Sequence, residues 1–519
     1  MSMALSCTIP VPCLPACILE DLLRLAQWLP MLASSSTIPA PTPGLLPVQP
    51  ERSVLHQIVD DHLAELVHRH ESSGHPLPTF VLDEFNKFIR CGDVRHGYAS
   101  IDCPNCGPLK YVPLSCKRRG WCPRCLSRRM IDRAAFYTDR VVGDTPVRHY
   151  VHTFPPPIRY HLPYDPELST KFLNVCVEEV FSSLRWRAKK AGLGLSSVYD
   201  AHPGAISSIH RSSGSLDPNL HFHIAATDGV FVLDPDSGSV TFHELPAPTD
   251  EEIAQIAWNI ALRTRNLLKA RGFWRDLVDQ PGHTIPDPSH STSSPPRMMH
   301  GVLSLGPHSR DRKVTYTARA TGRADQDDGA YSFDLYARRA VAMGDRRNLE
   351  SLVQYILHPP LTDRQLSRTP DGQVMLKLPR PKRDGTTHIL FEPVDILQRL
   401  VTLTPRRRSN TIRLHGVWAP NASLRSEALP KISDPASPAE EGDPPDRSRR
   451  MPWQQLTLRQ SGNDLSTCPH CSARTRVLLW FPDLLGTNYH LRVSRTAVDS
   501  RAPPLRALTH TRVRIGAAV

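Results

Sequence analysis

The chain has 519 residues, long enough for roughly two to four domains with a sizeable buried core. Its formal charge of +12 and pI of about 9.2 favour a polyanionic partner, nucleic acid before an anionic membrane, although ordinary basic proteins also carry such charge. No stretch reaches the about 18 consecutive apolar residues of a membrane span, and 12 cysteines in so long a chain do not indicate a disulfide scaffold.

Residues 1–50 are apolar and proline-rich, and no lysine or arginine precedes Arg24. This composition predicts a poorly ordered extension and not a secretory signal, which needs a basic start. From residue 51 the apolar residues recur at helical spacing, and a second helical segment covers residues 80–90. Residues 51–145 are therefore predicted to form a first domain that begins with helices.

A zinc site is predicted in this first domain. Cys103-x2-Cys106 and Cys122-x2-Cys125 are separated by 15 residues, the spacing of a four-cysteine zinc ribbon, and such a site indicates a reducing compartment. Three nearby side chains are able to compete as ligands or to form a second site: Cys91, His96 and Cys116.

Positive charge surrounds these cysteines, with Tyr111 and Trp121 interleaved. Basic side chains beside aromatic rings suit contact with nucleic acid. The residues considered for DNA binding here are Lys117, Arg118, Arg119, Arg128 and Arg129. The alternative is that zinc only stabilises the domain while the charges remain in water.

Residues 146–422 are predicted to form a second domain of mixed strands and helices. Strands are predicted at 147–154, 206–209 and 219–227, hairpins at 230–242 and 373–391, and helices at 167–190 and 347–358. Thr249 and Glu252 have the spacing of a capping box for a helix ending near residue 271. Residues 280–296 read as a loop, and 331–339 as short and mixed.

The segment Asn219-Leu-His-Phe-His lies on one of these strands. Alternation places His221 and His223 on one face and the apolar Leu220 and Phe222 on the other. Two imidazoles on one face are spaced to bind one metal ion. The alternative is two polar groups on a wet face.

Tyr355 lies in the predicted helix 347–358, beside an apolar stripe at helical spacing. By itself it reads as a boundary tyrosine. Near a divalent ion it becomes a candidate nucleophile: the ion polarises a phosphate, and attack by the phenol gives a covalent phosphotyrosine.

The end of the chain adds two segments. Residues 423–452 are rich in proline and charge and are predicted to be a linker. Residues 453–519 contain Cys468-x2-Cys471, a single knuckle that by itself does not define a zinc site.

Residues 77–421, about two thirds of the chain, resemble the transposases of the insertion-sequence ninety-one type, a rolling-circle group within the HUH endonuclease superfamily. The segments that carry the resemblance are Phe88-Ile-Arg-Cys-Gly, Ser115-Cys-Lys-Arg-Arg-Gly-Trp-Cys-Pro-Arg-Cys, Arg128-Arg129-Met130, Asn219-Leu-His-Phe-His, Asp228-Gly229, Phe242-His-Glu-Leu-Pro, Tyr355-Ile-Leu-His-Pro-Pro-Leu, Arg383-Asp-Gly-Thr-Thr-His, His415-Gly416 and Ala419-Pro-Asn421. Their order and spacing together are specific.

The resemblance implies an α+β protein: an N-terminal helical and zinc-ribbon DNA-binding domain, then an HUH-type antiparallel sheet flanked by helices. It implies that His221 and His223 bind Mg or Mn and that Tyr355 is the nucleophile. The implied reaction nicks single-stranded or hairpin DNA at an element end, gives a 5′-phosphotyrosine and a free 3′-hydroxyl, and then transfers the strand. Such a protein acts in the bacterial cytoplasm, associated with the nucleoid.

Two departures from the family pattern matter. Ser351 stands four residues before Tyr355, where some relatives have a second tyrosine, so this chain has the pattern of a single-tyrosine enzyme. His210 replaces a usual glutamine and is either a third metal ligand or a polar residue facing a loop.

Lys382 and Arg383, in a basic turn, are either DNA contacts or solvated loop charges. The other functions considered are a plasmid replication initiator or relaxase with the same chemistry, and a non-catalytic zinc-dependent DNA-binding protein. The sequence does not give the oligomeric state.

Overall fold

The computed structural model describes residues 53–155, 158–159, 162–276, 299–305, 314–317, 330–382, 384–406, 409–430, 451, 453–482 and 489–492. The predicted N-terminal extension, the loop at 280–296 and Arg383 lie outside the described residues. No α-helix within the described ranges has the length and apolar character needed to cross a membrane.

The α-helices of the described residues are α1 (Val54–Ser72), α2 (Thr79–Ile89), α3 (Pro123–Tyr137), α4 (Pro166–Lys190), α5 (Asp250–Ala270), α6 (Arg346–Ile356), α7 (Pro393–Leu403), α8 (Arg425–Ala428) and α9 (Trp453–Ser461). The strands are β1 (Tyr98–Cys103), β2 (Gly107–Pro113), β3 (Val147–Thr153), β4 (Ala201–His202), β5 (Gly204–Ser212), β6 (Pro218–Thr227), β7 (Gly229–Leu233), β8 (Val240–Glu244), β9 (Trp274–Asp276), β10 (Met299–Leu305), β11 (Val314–Thr317), β12 (Ala330–Val341), β13 (Leu366–Arg368), β14 (Val374–Lys377), β15 (His388–Phe391), β16 (Ile412–Gly416), β17 (Arg476–Pro482) and β18 (Tyr489–Arg492). The chain is therefore an α+β protein, as predicted.

An eight-stranded sheet forms the centre of the second domain. Its order is β16-β5-β6-β3-β12-β11-β10-β9, antiparallel throughout except for the β9–β10 pair. On β6 the residues Leu220, Phe222 and Ile224 are fully buried and pack into a core with α4 and α5. The predicted alternation of β6 is thus confirmed. The apolar face of the strand packs against these two helices, as is common for an antiparallel sheet covered on one side.

The opposite face of the sheet is covered by α3 and α6, which contact each other. The apolar stripe of α6, namely Leu349, Leu352, Val353 and Ile356, packs against Ala225 of β6 in this second core. The helix 347–358 expected from the sequence corresponds to α6. Its polar side, including Tyr355, is left toward the solvent.

The N-terminal helices share a third core with later parts of the chain. Residues of α1 and α2 and Trp121 pack with α7 and with the three-stranded sheet β13-β14-β15. The first domain was expected to end at residue 145, but segments on both sides of that position contribute to this core. Ala428 and Leu429, from the predicted linker, are buried as well.

The C-terminal segment returns to the N-terminal domain. β17 pairs antiparallel with β1 in a sheet of order β18-β17-β1-β2, and α9 packs against α3. Arg459 of α9 forms ion pairs with Asp139 and with Glu350 of α6. Residues 453–482 are therefore connected both to the first domain and to the helix that carries Tyr355.

Local sequence signals predicted several elements well. Thr249 and Glu252 form the expected capping box at the start of α5. The segment at 331–339 was read as mixed, but it belongs to β12, a central strand with an irregular register between Tyr336 and Arg339. That irregularity breaks the alternation by which a strand is recognised.

Candidate metal centres and active site

Cys91, Cys116, Cys122 and Cys125 form one thiol cluster. Their sulfur atoms all lie within 4.8 Å of one another. The Sγ of Cys91 is 3.6 Å from those of Cys122 and Cys125, and Cys116 Sγ is 3.3 Å from Cys125 Sγ. A tetrahedral zinc site with Zn–S bonds of about 2.3 Å has sulfurs about 3.8 Å apart, so these four thiols fit zinc.

Local structure presents these thiols. Cys122 caps α3, whose first residue is Pro123, so the helix begins between the two cysteines of this knuckle. Cys91 follows the end of α2, and its Sγ accepts a hydrogen bond from the backbone N–H of Cys116 at 3.4 Å. The start of α3, the end of α2 and the segment around Cys116 thus bring the four thiols together.

The structure corrects the grouping expected from the sequence. Cys103 and Cys106 do not join Cys122 and Cys125 in one site; their sulfurs cluster with those of the C-terminal Cys468-x2-Cys471 knuckle. The spacing of a knuckle fixes only its own turn. Which knuckles meet depends on where the β1–β2 hairpin and β17 lie. Cys91 and Cys116 take the places that had been assigned to Cys103 and Cys106, whereas His96 is absent from both thiol groups.

Three histidines form a separate group on the central sheet. His210 of β5 is directly opposite His221 of β6, and His223 follows on the same face. Their candidate ligand nitrogens lie within 4.8 Å of one another. His210, expected either to bind metal or to face a loop, therefore lies with the His-x-His pair.

Hydrogen bonds orient these imidazoles. His221 Nδ1 bonds the Asn219 carbonyl oxygen at 2.8 Å, and His210 Nε2 bonds the Ile356 carbonyl oxygen at 2.6 Å. Because a carbonyl only accepts, each of these nitrogens carries the proton and the other ring nitrogen has a lone pair. His223 Nδ1 is 2.9 Å from Nε2 of His149. Such outer contacts fix the tautomer of a metal ligand.

Burial keeps the group neutral. It lowers the pKa of His221, and it lowers the pKa of His210 and of His223 well below the usual value, with the neighbouring imidazoles adding to the effect. Burial, with Arg339 nearby, also lowers the pKa of His149 to about 4. Neutral imidazole is the form that binds metal, so the residues fit a divalent ion at neutral pH.

Tyr355 lies over this histidine group. Its ring centroid is 5.7 Å from that of His223 and 5.8 Å from that of His149, both edge to face. The Arg339 guanidinium is 5.7 Å from the same ring. The side chain is 43% exposed. A phenol reachable from solvent therefore stands beside grouped imidazoles and a fixed cation.

Two parts of the chain match known protein families. Residues 58–154 match the family described as "Transposase zinc-binding domain", and residues 204–426 match the family described as "Putative transposase". The chain belongs to the transposases of the insertion-sequence ninety-one type. No curated protein and no solved structure matches it significantly.

The transposase zinc-binding domain contains the first thiol cluster in full, and structural zinc there follows from the family and the cysteines together. The second family match contains the three histidines and Tyr355. Cys468 and Cys471 lie beyond both matches.

The basic residues expected to bind DNA fall into two groups. Arg118 is half-buried and pairs with Asp83 of α2, so an internal carboxylate neutralises its charge. Lys117, Arg119 and Arg128 are exposed beside the first thiol cluster. Burial and the adjacent Arg128 lower the pKa of Lys117, which indicates that the two cations lie close together.

Lys382 is exposed in the turn between β14 and β15, where its backbone N–H donates to the Thr386 carbonyl at 2.9 Å. The half-buried Arg129 donates to the Lys117 carbonyl at 3.1 Å.

Sequence reasoning missed three residues beside Tyr355: His149, Arg339 and His358. The ring of His358 stacks on that of Tyr355 at 5.6 Å between centroids. His358 follows Tyr355 by three positions at the end of the predicted helix, so helical spacing was a usable signal for it. His149 and Arg339 come from β3 and β12, and only the strand order brings them here.

Proposed function

We propose that the transposase nicks and rejoins single-stranded DNA through a 5′-phosphotyrosine on Tyr355, in rolling-circle transposition of its element. The observation that carries the proposal is the exposed Tyr355 ring 5.7 Å from the His223 ring, above three grouped imidazoles. Cleavage of a phosphodiester needs a nucleophile and positive charge at the scissile phosphate. The phenol of Tyr355 and an ion held by the histidines would supply them.

In the proposed step the Tyr355 phenolic oxygen forms a bond to phosphorus and loses its proton. The bond from phosphorus to the 3′ oxygen breaks, and that oxygen leaves and takes up a proton as the free 3′-hydroxyl. The phosphotyrosine retains the energy of the broken bond, so a 3′-hydroxyl of target DNA can attack it and release Tyr355. Arg339 supplies positive charge beside the ring.

His210, His221 and His223 would hold a catalytic Mg or Mn ion. When bound, the ion polarises the phosphate and offsets charge that develops in the transition state. Three imidazoles suit Mn better than Mg. With phosphate oxygens completing the coordination, Mg stays compatible as well. Nicking is therefore expected to reach its full rate at a lower concentration of Mn than of Mg.

The exposed cations Lys117, Arg119 and Arg128, together with Arg129 and Lys382, are proposed to bind the DNA backbone at single-stranded or hairpin element ends. Arg118 is a weaker candidate because of its ion pair with Asp83. Arg383 remains a proposed contact outside the described residues. The single-tyrosine mechanism is supported by the exposed Ser351 one helical turn before Tyr355.

The test is a covalent-capture assay. Purified protein is incubated with Mg or Mn and end-labelled single-stranded DNA from the element termini, then separated on a denaturing protein gel. The expected result is a metal-dependent labelled band at protein mass. The band disappears in Tyr355→Phe and His221→Ala and persists in Tyr199→Phe, a control whose phenol is 71% exposed on another part of the protein.

Two outcomes contradict the proposal. DNA binding without any covalent band favours a non-catalytic zinc-dependent DNA-binding protein. A covalent band with plasmid-origin DNA but not with element ends favours a replication initiator or relaxase.

A further inference from the structure

The second thiol cluster brings together two parts of the chain that are far apart in sequence. It consists of Cys103 and Cys106, next to β1 and β2, and of Cys468 and Cys471, before β17. We propose that these four cysteines bind a second structural zinc ion, separate from the ion of the first cluster, and that this ion fastens the C-terminal segment to the zinc-binding domain.

The first half of the site is a tight hairpin turn. Cys103 is the last residue of β1 and pairs with Gly107, the first residue of β2. The backbone N–H of Asn105 donates to Cys103 Sγ at 3.4 Å. Gly107, directly after Cys106, has φ +83°, a left-handed conformation that lets the chain turn back after the second thiol.

The second half has the same construction. The backbone N–H of Ser472 donates to the Cys468 carbonyl at 2.9 Å, and the N–H of Cys468 donates to the Ala473 carbonyl at 2.9 Å. Ser472, directly after Cys471, has φ +58°. A serine is strained in this region, and such strain is found where the surroundings impose it. Two similar knuckles therefore face each other.

β17 brings the knuckles together. Arg476 of β17 pairs with Asp102, the residue before Cys103. The Sγ atoms of Cys103 and Cys471 are 3.3 Å apart, and Asn105 Nδ2 donates to Cys471 Sγ at 3.7 Å. All four sulfurs lie within 4.8 Å of one another. In a tetrahedral zinc site with four thiolates the sulfurs are about 3.8 Å apart, so the four thiols are near enough to share one ion.

The four thiols differ in exposure. Cys103 and Cys468, the first cysteine of each knuckle, are 2% and 1% exposed, whereas Cys106 and Cys471 face outward. Four unliganded thiols at this spacing would leave buried sulfurs with only weak hydrogen bonds. A tetrahedral ion with no open position uses all four at once.

The experiment counts zinc per chain by mass spectrometry on the reduced, full-length protein. A His221→Ala/His223→Ala background prevents the imidazole group from adding an ion. The expected count in that background is two. It falls to one in Cys468→Ser/Cys471→Ser, to one in Cys103→Ser/Cys106→Ser, and to one, not zero, when all four are changed. His470→Ser, an exposed change within the same knuckle, keeps two.

A rescue variant separates ligand loss from misfolding. Cys471→His puts an imidazole that can bind zinc at an exposed ligand position and is expected to keep two ions. One zinc in the background protein, or an unchanged count in Cys468→Ser/Cys471→Ser, would overturn the proposal. Bound iron in place of the second zinc would overturn it as well, since four thiolates also suit iron.

Discussion

In the second thiol cluster the candidate metal ligands come from distant segments, with Cys103 and Cys471 separated by 368 positions, and in the first they come from three segments within residues 91–125. The histidine group comes from two neighbouring strands. The sheet register alone brings His210, His221 and His223 together, so their arrangement does not need an ion. The thiols of each cluster come from turns and from the ends of helices or strands. Metal is therefore expected to stabilise the fold in the cysteine region and to serve chemistry in the histidine region.

The largest expected effect is loss of the first zinc. Cys122→Ser/Cys125→Ser removes two ligands next to the core around Trp121. Structural zinc contributes an apparent binding free energy of about 10 kcal/mol or more in zinc-finger peptides, so the N-terminal unit is expected to unfold. Thermal melting and zinc counting measure this.

Cys176→Ser is the matched control for that change, because Cys176 is buried in the core of α4 and belongs to neither thiol cluster. It is expected to keep all bound zinc and to melt only a few degrees lower. An equal loss of stability in both variants would show that burial, and not zinc, explains the effect.

The opposite result is expected for the histidine group. His223→Ala should lower the rate of covalent capture by more than the about 10- to 100-fold that loss of an outer-shell partner of a metal ligand costs, because His223 is itself a proposed ligand. The zinc count of the thiol clusters and the melting temperature should change little, because the β-sheet register supports the strand. His388→Ala, at an exposed position of β15, should keep the rate within about twofold. A fall in melting temperature like that of the cysteine variant would remove the distinction between the regions.

A third prediction concerns the helix that holds Tyr355. Leu352 is a fully buried residue of this helix, so Leu352→Ala leaves a cavity and should lower the unfolding free energy by about 2–5 kcal/mol. Covalent capture should weaken at the same time because the tyrosine loses its support. Ser351→Ala, one residue earlier and exposed, should change the unfolding free energy by no more than about 0.5 kcal/mol. Denaturant titration of both variants measures the contrast.

The smallest expected effect is a dependence on pH. Burial, with Arg413 nearby, lowers the pKa of His415 to about 4, and its imidazole contacts the Ser207 hydroxyl at 2.7 Å. Below about pH 6.5 the unfolded chain takes up a proton on His415 that the folded protein does not. The unfolding free energy therefore decreases as the pH is lowered. The fall ends near pH 4, where both states carry the proton.

His415→Asn removes this proton uptake. Between pH 6.5 and pH 5 its unfolding free energy should fall less steeply than that of the parent, by up to about 1.4 kcal/mol per pH unit. Denaturant titrations of parent and variant across this range measure the slopes. Parallel curves would contradict the assignment.

Local patterns predicted what depends on near neighbours. The His-x-His alternation, the apolar stripe of α6 and the Thr249–Glu252 cap each need only a few consecutive residues. Helix α7 and strand β16 were not predicted, although Pro393 starts a helix whose apolar face is buried against α1. Strand β16 is a short edge strand with half-buried residues, so its pattern carried little signal.

The sequence by itself determined the family, the α+β class, the position of Tyr355 and the faces of β6, because periodicity and motif spacing act within one element. The tertiary structure alone decided which cysteines share a cluster and which strand residues lie beside Tyr355. Those groupings depend on strand order: β17 brings the C-terminal knuckle to β1, and β3 and β12 bring His149 and Arg339 to the tyrosine. Pairing between distant strands is fixed by packing of the whole chain, and no short stretch of sequence contains it.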